Sequence, residues 1–194
     1  RYSDHTIREY IRNFIMSKLE ANTIDTISGT SNLTIGSTNS STVTFENAAN
    51  VTGHMYPAFH YHAASTQSIS TATWTKITAF TTQNYDTNSV VSSSTFTVPS
   101  GLGGKYFLYM CVGLDAGAGI PARLLAGIHK SDGTELLNSE QGNGSPYNTA
   151  NACGTFNLSV ADEIVFRVYQ NSGGSRDTLN STQQGYFGGF RIGA

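Results

Sequence analysis

The stretch Gly104-Lys105-Tyr106-Phe107-Leu108-Tyr109-Met110-Cys111-Val112-Gly113-Leu114-Asp115 decides how the rest of the chain is read. Tyr106, Leu108, Met110 and Val112 alternate with Phe107, Tyr109 and Cys111, so two sets of side chains leave one strand on opposite sides. Both sets are apolar or aromatic, and a strand of that kind is covered on both faces. One face is expected to meet the interior of a sandwich, the other a neighbouring subunit. Burying a large side chain stabilises by roughly 1.5–3 kcal/mol, which singles out Phe107, Tyr109 and Phe190 as core or interface residues.

Outward from this strand the pattern repeats. Strands are expected over 58–63, 73–80, 95–99, 105–115, 123–130, 150–159, 163–170 and 186–193. Turn clusters part them: Thr87-Asn88-Ser89, Ser100-Gly101-Leu102-Gly103-Gly104, Ser131-Asp132-Gly133 and Asn171-Ser172-Gly173-Gly174. Strands at this spacing with no helix between them predict an all-β, antiparallel jelly-roll sandwich over residues 57–194.

The amino-terminal third has a different texture. A short helix is expected over 6–21, within a segment 1–21, because Thr6 and Glu9 make a capping box. Ile7, Tyr10, Ile11, Phe14, Ile15 and Leu19 then form one apolar stripe. So short a helix is marginal alone, and its stripe needs a partner: its own domain, a three-helix bundle or a larger assembly. Residues 22–56 carry short apolar pairs such as Leu33 and Ile35, or Val43 and Phe45, in a Ser/Thr/Gly/Asn background. They bury too little to fold singly, and three copies about one axis are preferred over a flexible linker.

Composition narrows the function. Charged residues are 12% and the net charge is −2, which gives neither nucleic acid nor an acidic membrane surface an evident handle. No apolar run spans a bilayer, and no charged-then-apolar leader opens the sequence. The Asn-x-Ser/Thr triplets, among them Asn157 and Asn180, are expected by chance at this Ser/Thr content. Cys111 and Cys153 are the two cysteines, read here as buried reduced thiols rather than a pair.

In their order along the chain, these elements resemble the trimeric jelly-roll heads of the complement globular-head and tumour-necrosis-factor-like superfamily. The likeness is carried by Pro57-Ala58-Phe59, Phe80 ahead of Asp86, Phe96 and Pro99, Gly104-Lys105-Tyr106, the strand Glu163 to Tyr169, and Tyr186-Phe187-Gly188-Gly189-Phe190-Arg191-Ile192. It departs where Leu108, Met110 and Val91 replace usual aromatics and where Ser100 to Gly103 look inserted. The resemblance implies a homotrimer and a binding rather than catalytic role. With a helix and β-shaft in place of a collagen-like run, the chain also resembles bacteriophage fibre and appendage proteins. That implies a virion structural protein on the particle surface, attached to other virion proteins by the helix. It would present its head to a host-surface glycan or protein. The alternative is a secreted complement-head, cytokine-like or adhesin-type binding module.

No catalytic constellation stands out: no Gly-x-Ser-x-Gly elbow, no Gly-Lys-Ser/Thr loop, no Cys-x-x-Cys, and no cofactor is expected. Asp162-Glu163 reads as a solvated turn. His60 and His62 project from one face of a strand and would gather six imidazoles if they met at a three-fold axis. The reading nevertheless favours no metal site. Recognition is expected from the loops 115–121, 138–147 and 171–182, around Asp115, Tyr147 and Arg176. Tyr147 is read as a packed loop aromatic before a sugar-stacking platform.

Overall fold

The computed structural model describes residues 56–115, 123–141 and 148–193, all within the unit Val51–Ala194. The expected helix over 6–21, the shaft up to residue 55 and Tyr147 lie outside the described residues. Among those described there is no helix.

Two antiparallel sheets face each other. The first has five strands in the order β10 (Asn148–Leu158), β7 (Gly104–Leu114), β13 (Gly185–Gly193), β1 (Ala58–His62) and β4 (Thr82–Asp86), numbered along the chain. The second runs β5 (Val91–Ser92), β6 (Thr95–Thr97), β11 (Glu163–Gln170), β8 (Leu124–Lys130) and β9 (Glu135–Gln141). There β3 (Thr75–Lys76) continues the β6 side along β11. A separate ladder pairs β2 (Ser68–Ile69) with β12 (Arg176–Asp177).

The alternation of β7 is realised. Tyr106, Leu108, Met110 and Val112 are buried between the sheets, while Phe107 and Tyr109 stand half-buried on the other side. Aromatic rings bridge the layers: Phe59 stacks on Phe96 with centroids 4.6 Å apart, and Phe166 on Phe187 at 4.5 Å. Tyr106 completes this core, and its hydroxyl donates to the Leu102 carbonyl at 2.6 Å. A buried tyrosine needs such a partner for its polar end.

Several expectations are corrected. The run 73–80 forms only the two-residue β3, because the Gln67 side chain replaces a partner strand. Its Oε1 accepts from Thr78 N at 2.7 Å and Ala79 N at 3.2 Å, and its Nε2 donates to Lys76 O at 2.7 Å. The strands β4, β5 and β9 escape a reading based on apolar alternation. They lie at sheet edges, where one side faces solvent and polar residues are tolerated. Asp162 is not simply solvated: it accepts from Lys130 Nζ at 2.8 Å and from Ser159 N at 2.9 Å. Both cysteines are free, but only Cys111 is buried; Cys153 is exposed on β10.

Candidate functional site

The outward face of the five-stranded sheet carries the site. Each strand contributes at every second position, because side chains alternate across the pleat. From β7 come Phe107, Tyr109 and Cys111; from β13, Tyr186, Gly188 and Phe190; from β1, His60 and His62; from β4, Tyr85; and from β10 the exposed Asn151, Cys153 and Thr155. Their partners one residue away, such as Phe59, Leu108 and Phe187, fill the core.

The register puts these rings side by side. Phe107 and Phe190 are direct cross-strand partners with centroids 5.5 Å apart. His60 lies among three tyrosines, 5.6 Å from Tyr186, 5.9 Å from Tyr109 and 6.0 Å from Tyr85. A hydrogen bond of 2.9 Å joins His60 Nδ1 and the Tyr109 hydroxyl. Gly188 lies at the middle of this group. The Tyr109 ring occupies the place its side chain would take, and a Cβ there would also come within 2.7 Å of the Phe59 carbonyl. Glycine is what lets the raft lie flat on the sheet.

Burial sets the charge state of this surface. It raises the Tyr109 pKa, with Tyr85 and Tyr186 adding to the effect, and it raises those of Tyr186 and Cys111. It lowers that of His60, with nearby His62 acting in the same sense. The Cys111 thiol and the Tyr109 and Tyr186 phenols are held protonated, and the His60 imidazole is biased to neutral. The face therefore offers flat apolar area and hydroxyl groups, not an activated nucleophile.

The other expected residues fall elsewhere. His60 and His62 do share a face, and His60 Nδ1 is hydrogen-bonded to the Tyr109 hydroxyl. Arg176 is buried at 1% exposure, with Nε 3.8 Å from the Asp115 carboxylate. Asp115 N in turn donates to Asp177 O at 2.9 Å, so this pair fastens the end of β7 to β12. Tyr85 and Tyr186 were not singled out as site residues from the sequence. Tyr186 was within reach, since Tyr186, Gly188 and Phe190 keep the two-residue period of β13.

Comparison with known proteins agrees with the architecture. No family model matches the chain, and no curated protein matches it. Among solved structures, the Eiger TNF of S. frugiperda is similar at 17% identity and a TM-score of 0.54, over 71% of this chain and 94% of that one. Murine APRIL, solved at pH 5.0, is similar at 15% identity and a TM-score of 0.52, over 70% of this chain and 98% of that one. The described part of this chain is an all-β sandwich with the jelly-roll fold of these tumour-necrosis-factor-like heads.

Proposed function

We propose that the chain is a non-enzymatic, homotrimeric binding head whose subunits meet through the aromatic face of the five-stranded sheet. The observation that carries this is the outward set Phe107, Tyr109, Tyr186 and Phe190, half-buried where a solvent-facing sheet would carry polar residues. Interface cores are rich in such rings and poor in charge, and the centre of this face has both properties, with Lys105 at its end. The occupant is a further copy of the chain, consistent with the jelly-roll likeness and with a shaft sequence too poor in core to fold singly. Placing a carboxylate on this face by Phe190→Glu should dissociate the trimer to monomers while the fold is kept, read by light scattering and circular dichroism. An unchanged mass would rule this face out.

The finer reading is a virion fibre or appendage protein on the particle surface, presenting the head to a host surface. Its support is the apolar stripe from Ile7 to Leu19 followed by the short apolar pairs of 22–56. That arrangement suits an anchor and a three-stranded stalk. Gene neighbourhood tests it: flanking capsid, portal or tail genes are expected, and their absence from every neighbourhood would overturn it.

A further inference from the structure

The opposite side of the sandwich bears a second set of aromatic and cationic side chains. On β8 and β11, Ala126, Ile128, Phe166 and Val168 turn into the core. Gly127, His129, Arg167 and Tyr169 consequently lie on the outer face of the six-stranded sheet. Trp74, just ahead of β3, lies over Gly127, where a Cβ would come within 2.8 Å of its ring. Its centroid is 5.7 Å from that of Tyr169 and 4.8 Å from that of His129.

Both signs of charge lie on this face: Glu135, Glu140 and Glu163 share it with the cations, and Glu140 is paired with Arg123 at 2.9 Å, but one cation pair adjoins directly. Lys76 is the register partner of Arg167, so two cations stand opposite each other across the β3–β11 ladder. Like charges so placed disfavour the pairing. Lys76 Nζ donates to Ser93 O at 2.8 Å and Thr95 Oγ1 at 2.7 Å, both neutral acceptors, and Glu163 is the acid that acts on it. The Arg167 side chain makes no hydrogen bond or ion pair among the described residues, and its buried Nε meets no acceptor. His129, only 4% exposed, has a buried Nε2 without a partner on the same face. Arg167 is half-buried and has no acid paired to it among the described residues, so an anion brought to its terminal nitrogens would be held by charge and hydrogen bond together.

We propose that this outer face binds a sugar carrying a carboxylate. The apolar face of the sugar ring stacks on Trp74 beside Tyr169, while the carboxylate is taken by Arg167 with Lys76. Guanidinium and carboxylate match in shape and charge, and the like-charge pair is relieved when the anion arrives. The proposal rests on reading the chain as a binding head and gives that head a ligand class. In a trimer joined through the five-stranded sheet, this surface faces outward.

Trp74 is the chain's one tryptophan, so its fluorescence reports the site directly. Titration of the full chain with glucuronic acid should give a saturable change, and glucose a much weaker one. Arg167→Gln should lower the affinity for glucuronic acid about tenfold or more, with trimer mass and melting temperature kept. If that variant misfolds, Lys76→Gln and Tyr169→Leu are the replacements, each expected to weaken binding. No saturable response to glucuronic acid, or one equalled by glucose and unchanged in the variants, overturns the proposal. The same samples are weighed by light scattering. A sugar-binding monomer removes the trimer and leaves this site, and a trimer blind to glucuronic acid does the reverse.

Discussion

Gly188 shows how one missing side chain organises a surface. A methyl group there would strike the Tyr109 ring and approach the Phe59 carbonyl, and backbone cannot yield as a flexible side chain does. Gly188→Ala should therefore destabilise by about 1–3 kcal/mol in thermal melts, the scale of overpacking in a well-filled site. Half-buried His60 and buried His129 make a second prediction at this scale. Burial lowers the pKa of His60, helped by His62, and that of His129, helped by Arg167, below the ordinary value of 6.5. The unfolded chain then binds these protons at higher pH than the folded chain does. Stability should be full above about pH 6.5 and fall as the pH drops below it. The melting temperature is expected to be lower at pH 5 than at pH 7.5, with a smaller difference in His60→Gln; a difference unchanged by that variant would show that His60 has no part in it.

At the scale of elements, the short hairpins show what the sequence leaves open. Ser93 and Ser94, between β5 and β6, both adopt left-handed backbone, with φ of 49° and 55°. Two-residue hairpins favour that geometry because it matches strand twist, and glycine adopts it at least cost. Ser94→Gly should raise stability by a few tenths to about 1 kcal/mol, since the relief of left-handed strain outweighs the added freedom of the unfolded chain. A lowered melting temperature would show that the buried Ser94 side chain contributes more than its backbone strain costs. The same hairpins explain uneven legibility. Strand β11 was placed at its observed bounds because its apolar run is long and closed by turns. Strand β9, with Glu135, Asn138, Ser139, Glu140 and Gln141, reads as loop because it is an edge strand in which only Leu136 and Leu137 pack against the core while the polar residues face solvent. The truncation of 73–80 was beyond reach, since it depends on a distant glutamine side chain binding backbone.

At the scale of the whole molecule, the two sheets present outer faces of different chemistry. The outward face of the five-stranded sheet is aromatic at its centre, with Lys105 and the exposed Asn151, Thr155 and Asn157 of β10 beside it, while that of the six-stranded sheet sets Trp74 and Tyr169 among charges of both signs. The first was half legible: the double alternation of β7 named Phe107, Tyr109 and Phe190, whereas Tyr85 and His60 joined them only through the registers of β1 with β4 and β13. The second was not legible at all, because Trp74 comes from an irregular segment and Arg167 from a strand whose other residues read as core. Of the loop residues expected to take part in recognition, Arg176 proves buried, and Tyr147 lies outside the described residues.

The central claim is that the aromatic face joins three copies of the chain, and the mass of the full chain in solution tests it most directly. Multi-angle light scattering should give three times the 20.8 kDa chain, and Phe190→Glu should bring that value down to a single chain. A folded wild-type monomer, or a trimer indifferent to Phe190→Glu, would contradict the account.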